Sequence, residues 1–223
     1  MKKSLFAEAV GKFFLGLIIV GALVFLPAWT LAFWQGWLFM GVLFVPMFAA
    51  GLVMLSRNPA LLRSRLDAKE KESAQRTVLL LSGLTFTAAF VLAGLNHRFG
   101  WIVLPAWVPI GAAVLFLIGY ALYAEVLREN VWLSRTVGVQ EGQKVVDTGL
   151  YGAVRHPMYM CTLLLFLAMP LVLGSLPSFA VMLAYIPIIV MRIRNEEKVL
   201  TEELEGYAEY KTRVRYRLIP FIW

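Results

Sequence analysis

The chain is predicted to be an all-α, polytopic integral membrane protein of five to six transmembrane helices with a cytoplasmic C-terminal helical tail. Three observations predict this. Of 223 residues, 60% are hydrophobic and 16% charged, with a mean hydropathy of +0.74, whereas a soluble domain is about half apolar and a quarter charged. The apolar residues gather in blocks of about 20, the length that crosses a bilayer as a helix. The Lys and Arg residues gather in alternate connections between the blocks, the pattern of the positive-inside rule. No soluble domain and no internal repeat is visible.

The elements follow in order. Met1, Lys2 and Lys3 resemble the start of a signal peptide. The apolar block behind them is long and lacks a small-residue cleavage site, so a retained first span is expected over 13–33. A second span is expected over 37–55, with Trp34, Gln35 and Gly36 as a tight turn and Trp29, Trp34 and Trp37 in an interfacial belt. The polar loop 56–76 carries Arg57, Arg63, Arg65, Lys69, Lys71 and Arg76. A third span over 77–95 is followed by a loop, 96–104, with Arg98 as its one Lys or Arg, and a fourth span covers 105–124. These four spans form an N-terminal unit, 1–124.

The second region, 125–223, opens with an amphipathic stretch to residue 155 that carries Arg128, Arg135, Lys144 and Arg155. The apolar block 157–191 is broken by Pro170, Gly174 and Pro177, which predicts a helical hairpin of two short spans, the second kinked at Pro187. The tail 192–223 is charged and predicted to be mostly helical until Pro220. Both termini are expected in the cytoplasm.

Composition excludes several functions. A net charge of +7 raises nucleic acid, but the basic residues lie in loops between spans and suit anionic headgroups instead. A single cysteine, Cys161, rules out an intramolecular disulfide and a cysteine-cluster metal site, and it is expected to pack. There is no zinc spacing, phosphate-binding glycine loop or nucleophile elbow. The lack of GxGxxG disfavours a soluble Rossmann enzyme. His97 reads as an interfacial residue, and Glu70, Lys71 and Glu72 as a solvated charge run.

Two polar clusters at membrane boundaries remain, and such residues are often functional. The first is Gly149, Leu150, Tyr151, Gly152, then Arg155, His156, Pro157, Met158 and Tyr159. Pro157 suits the first turn of a helix, which puts Arg155 and His156 at a helix mouth that favours a carboxylate or phosphate. Arg155 alone fits a lipid-headgroup anchor equally well. The second cluster is Arg192, Arg194, Glu196 and Glu197. Arg192 and Glu196 are four apart and share a helix face, which alone would suggest an ordinary surface ion pair. A hairpin brings the two clusters to one end, making a site with a cation, an anion and an imidazole.

In order and spacing these residues, with Tyr207-Ala208-Glu209-Tyr210 and Arg213-Val214 to Leu218-Ile219-Pro220, resemble the isoprenylcysteine carboxyl methyltransferase family. Related integral-membrane phospholipid N-methyltransferases share parts of the pattern. The match covers 129–220; the first half is more loosely similar to bacterial members, including 96–101, so a bacterial inner membrane is expected. The chain departs from the family at Leu204-Glu205-Gly206 and Arg215-Tyr216-Arg217, both in the tail.

The resemblance implies S-adenosylmethionine as methyl donor and a lipophilic acceptor among the membrane lipids. It implies cofactor contacts by Gln140, Tyr151, Arg155, His156, Pro157, Met158, Tyr159 and Glu196, with the segment 143–146 beside them. Arg192 matches the arginine beside the acceptor, and His156 and Glu196 are the candidate bases for an amine acceptor. The rival readings are a phospholipid or amine N-methyltransferase and a non-catalytic membrane protein or small transporter. A transporter would carry polar groups at mid-span, whereas here they cluster at the span ends.

Overall fold

A computed structural model describes residues 2–66, 73–133 and 138–223. Met1, the charge run with Lys69, Glu70, Lys71 and Glu72, and Arg135 lie outside the described residues. Among those described, every regular element is helical: α1 (Lys2–Ala28), α2 (Trp34–Arg57), α3 (Pro59–Leu66), α4 (Ser73–Phe99), α5 (Trp107–Glu129), α6 (Pro157–Val172), α7 (Leu176–Met182), α8 (Tyr185–Glu203) and α9 (Tyr207–Arg213). A backbone in lipid must satisfy its own polar groups, and the apolar blocks do so as helices.

Among the described residues, five stretches are long and apolar enough to cross a membrane: Leu5–Ala28, Trp34–Arg57, Arg76–Phe99, Trp107–Glu129 and Leu176–Glu203. The protein is an integral membrane protein. α6, with 16 residues, is shorter than a usual span. It nevertheless links the two ends of the bundle. At its start His156 meets Glu197 of α8, and just beyond its end the Gly174 carbonyl accepts from Asn96 Nδ2 of α4 at 3.4 Å.

Several boundaries differ from expectation. The first reversal comes earlier, because Trp34, Gln35 and Gly36 open α2 instead of forming the turn. Pro27 lies in the last turn of α1, Trp29 takes a left-handed φ of 56°, and Trp37 Nε1 donates to the Leu31 carbonyl at 2.8 Å to close the turn. Within loop 56–76, Asn58 Oδ1 accepts from Leu61 N at 3.1 Å and starts α3 with Pro59 at its first position. α4 continues past 95, so Asn96 and His97 sit in helix. There Asn96 bonds both backbone groups of Ile102 and folds the following loop back, while His97 stacks on Phe33 at 4.2 Å. Trp29, Trp34, Trp37, Trp101 and Trp107 are exposed around this end, as an interfacial belt requires.

Among the described residues of the amphipathic stretch 125–155, helix continues to Glu129 and a 3₁₀ turn forms at Gly149–Gly152. Gly138, Gly142 and Gly149 all adopt positive φ, which side-chain-bearing residues avoid. The hairpin is present, and its second arm breaks between α7 and α8. Pro187 has no N–H for the Leu183 carbonyl four residues earlier, and the chain loosens there. The tail is less helical than expected. Beyond α9 it runs extended, because its carbonyls at Tyr216 and Arg217 accept from the backbone N–H groups of Arg155 and His156, both at 2.9 Å.

Two glycines set helix spacing. A Cβ on Gly94 of α4 would lie 2.6 Å from the Val24 carbonyl oxygen of α1, and one on Gly119 of α5 would lie 2.9 Å from Leu165 of α6. Around them one core runs through the bundle, including Val24, Phe39, Phe90, Phe116, Met169 and Ile189. Cys161 is fully buried and packs, as expected, beside Val126, Leu133 and Tyr151.

Candidate functional site

The two polar clusters meet at one end of the bundle. The hub is Glu197, on the buried face of α8. Its Oε1 accepts from Arg155 Nε at 2.7 Å and lies 3.2 Å from His156 Nε2, while its Oε2 accepts from Arg217 Nε at 2.9 Å. Arg155 Nη1 also donates to the carbonyls of Val214 and Arg215 at 2.7 and 2.8 Å. Arg155 and Glu197 side chains are each about 5% exposed. The mouth of α6 therefore does attract an anion, but the anion is the chain's own carboxylate. The backbone N–H groups expected to be open there hold the tail strap. Arg155 and His156 thus hold the tail strap in place at this end of the bundle.

A second relay lies beside the first. Tyr159 Oη donates to Glu196 Oε2 and accepts from Arg192 Nε at 2.9 Å. Arg192 and Glu196 share a helix face as expected, and the phenol of Tyr159 bridges them. Arg192 is buried rather than on the surface, with its guanidinium 5.9 Å from the Tyr159 ring centre.

Between α6, α8, α9 and the 138–146 loop lies a cavity with about 760 Å³ of empty space, counting the part that opens to solvent. Of the candidates, Tyr151, Arg155, His156, Met158, Tyr159 and Glu196 line it, as does the segment 143–146. Pro157, Arg192 and Gln140 do not line it. Pro157 starts α6, and Gln140 shapes the loop wall by bonding the Trp132 carbonyl and the Gln143 side chain. Sequence reasoning missed Asn130, Trp132, Leu200 and Leu204 in the wall, because nothing local marks a lone amide or an apolar residue as facing a cavity. Tyr207 and Tyr210 also line it; their spacing on α9 was the available signal.

The tyrosines are held firmly. Asn130 Nδ2 donates to Tyr151 Oη at 2.9 Å, and Tyr210 Oη donates to the Tyr151 carbonyl at 2.7 Å. Gly206 starts α9 at φ 81°, turning the chain so that Tyr207 and Tyr210 face inward. The Tyr207 hydroxyl is buried and has no hydrogen-bond partner among the described residues. A buried hydroxyl without a partner costs about 1–3 kcal/mol, so it marks a place where a ligand acceptor or donor fits.

Burial raises the pKa of Tyr151, Tyr207 and Tyr210; for Tyr207 the nearby carboxylates of Glu197 and Glu196 raise it further. All three stay protonated at neutral pH. In the unfolded chain a tyrosine ionises near 10. A folded pKa above that contributes stability that is intact below pH 10 and is lost as pH rises toward the folded value. Thermal melts in detergent are expected to fall in Tm as pH rises above about 10, and Tyr207→Phe flattens that fall. Equal slopes for variant and wild type would contradict the role given to Tyr207.

Comparison with known proteins bears on the same region. Residues 107–206 match the family model described as phospholipid methyltransferase. That grouping covers the isoprenylcysteine carboxyl methyltransferase-like membrane enzymes, so the family resemblance is borne out over these residues. The chain is 32% identical over 91 residues to the Delta(14)-sterol reductase TM7SF2 of Mus musculus, covering 40% of this chain and 22% of that protein. It is 30% identical over 131 residues to the cobalt-zinc-cadmium resistance protein CzcN of Cupriavidus metallidurans, covering 58% and 57%. It is 25% identical over 135 residues to a Delta(14)-sterol reductase of Methylotuvimicrobium alcaliphilum, covering 54% and 32%. In each case the match spans less than two thirds of the relative.

Proposed function

We propose that this chain, whose residues 107–206 carry the phospholipid methyltransferase pattern, is a membrane methyltransferase that uses S-adenosylmethionine and acts on a lipophilic acceptor from the bilayer. The carrying observation is the cavity that joins Glu196 and the unpartnered Tyr207 hydroxyl to tyrosine walls, inside the matched region or at its edge. The donor, when bound, supplies an electrophilic methyl on a sulfonium. Its amino-acid end and ribose suit what this chain presents. Glu196 accepts from an ammonium or from hydroxyls, Tyr207 offers a protonated hydroxyl, and Tyr151, fixed at both ends, offers a flat face.

Methyl transfer is an in-line displacement whose main needs are alignment and desolvation of the acceptor. Arg192 sits behind Tyr159, deeper along α8 than Glu196, and would orient a carboxylate acceptor that reaches it from the bilayer, outside the cavity wall that Tyr159 forms. A carboxylate needs no base. An amine must lose a proton; His156 is hydrogen-bonded to Glu197, which leaves Glu196 for that task. By the positive-inside rule the site end, which carries Arg57, Arg63, Arg76 and Arg128, faces the cytoplasm with both termini, and Arg98 is at the other end. A bacterial inner membrane suits such a chain.

The sterol reductases among the relatives make a nicotinamide-dependent reductase the second reading. Against it, Glu196 faces the cavity and would repel a pyrophosphate, while the guanidinium of Arg155 already holds Glu197. Calorimetry on detergent-purified protein with S-adenosylmethionine and with NADPH separates the two. Saturable binding of S-adenosylmethionine is expected, weakened roughly tenfold to a hundredfold by Glu196→Ala, since a hydrogen bond to a charged group contributes about 1.5–3 kcal/mol. Binding of NADPH alone would overturn the methyltransferase reading.

A further inference from the structure

On the far side of Glu197 from the cavity, α8 and the tail form a second concavity, shallow and broadly open to solvent. Four cations line it, Arg194, Lys198, Lys211 and Arg217, against the carboxylates Glu197 and Glu202. Glu197 is already neutralised by Arg155 and Arg217. Lys211 donates to Thr201 Oγ1 at 3.2 Å. Arg194 and Lys198 are exposed, lie one turn apart on α8, and have no bonded partner among the described residues. Like charges stacked at this spacing repel each other, so the concavity is short of an anion.

Its depth identifies which anion. The last span begins at Leu176, and about 20 helical residues traverse the hydrocarbon core. That count ends close to Arg194 and Lys198, at the level of lipid phosphates. The neighbouring tail turn points the same way. Phe221 is 87% exposed and Ile222 76% exposed, while Trp223 packs on the bundle core and lies 5.1 Å under the guanidinium of Arg217. An apolar turn beside a basic hollow is the arrangement of an interfacial anchor, with side chains in the acyl boundary and cations on the headgroups.

We infer that the concavity of Arg194, Lys198, Lys211 and Arg217 binds the phosphate of an anionic phospholipid, with Phe221 and Ile222 dipping into the same leaflet. The site is separate from the cofactor cavity, and its test does not depend on the proposed methyl transfer. Each cation near an anionic lipid surface contributes about a fivefold gain in binding, so removing two costs on the order of tenfold or more.

Full-length protein in a non-ionic detergent is titrated with phosphatidylglycerol, phosphatidylcholine and inorganic phosphate, and bound adducts are counted by native mass spectrometry. Phosphatidylglycerol is expected to saturate ahead of phosphatidylcholine. The double variant Arg194→Gln/Lys198→Gln loses roughly tenfold in affinity for it, and Arg194→Lys, which keeps the charge, retains it. Both altered residues are surface-exposed, and an unchanged melting temperature without lipid confirms that the variants fold. Undiminished phosphatidylglycerol binding by the double variant, or equal binding of the two lipids, would overturn the inference. Displacement by equimolar inorganic phosphate would also overturn it, in favour of a soluble anion.

Discussion

Replacing Glu197 with alanine is expected to lower stability by about 3–5 kcal/mol and to free the tail from the cavity beside it. Three groups converge on this carboxylate from two parts of the chain: Arg155 and His156 at the start of α6, and Arg217 in the tail. Removing it leaves the 5% exposed Arg155 side chain without its counter-charge. A buried charge with no partner is far more costly than the lost pair is favourable. The strap at 214–217 then loses its clamp, because Arg155 holds the Val214 and Arg215 carbonyls only while it is itself oriented. Thermal melting and limited trypsin digestion of the tail check this: the variant is cut after Arg213, Arg215 or Arg217 well before wild type. Asp147→Asn is the matched control, since its pair with Arg213 is 37% and 63% exposed and is expected to contribute less than about 1 kcal/mol. Equal tail protection in Glu197→Ala and wild type would refute the clamp.

The second large effect is expected at Gly94. A side chain there meets the Val24 carbonyl oxygen at 2.6 Å, Ala28 N at 2.9 Å and Pro27 Cβ at 2.9 Å. The first two are backbone, so α1 and α4 must separate. Overpacking a tight interface costs about 1–3 kcal/mol for a small group; Gly94→Ala is expected in that range, and Gly94→Val is expected not to accumulate as folded protein. Close backbone approach through small residues is how helices associate in lipid, where burial of apolar surface offers little drive. Gly83, in the same helix, has nothing within 4 Å of an added Cβ, so Gly83→Ala should be neutral or gain up to about 1 kcal/mol of helix propensity. Detergent melting curves of the three variants give the comparison. A Gly94→Ala protein as stable as Gly83→Ala would remove the close-contact argument.

Much of the architecture was legible in the chain because lipid imposes a simple rule. Apolar blocks of span length become helices, Pro157 starts α6, and the breaks near Gly174 and Pro187 show in the composition. Boundaries were less legible. Trp34 to Gly36 looked like a turn, yet the reversal is made earlier by Pro27 and the left-handed Trp29, since aromatic residues suit both a belt and a helix start. In the site, Tyr151, His156, Tyr159 and Glu196 were identified from motif order. Glu197, their immediate neighbour, was only half of a glutamate pair.

By itself, then, the sequence determined the class, the helical blocks and the end of the bundle where polar residues gather, because hydropathy and Pro or Gly placement act locally. Tertiary structure alone decided the duties within that end. Successive residues on α8 point about 100° apart, so Glu196 faces the cavity while Glu197 faces Arg155 and the tail. Which of two adjacent carboxylates lines the cavity and which closes the fold depends on partners more than 40 residues earlier and 20 later, at Arg155 and Arg217, and no local pattern carries that information.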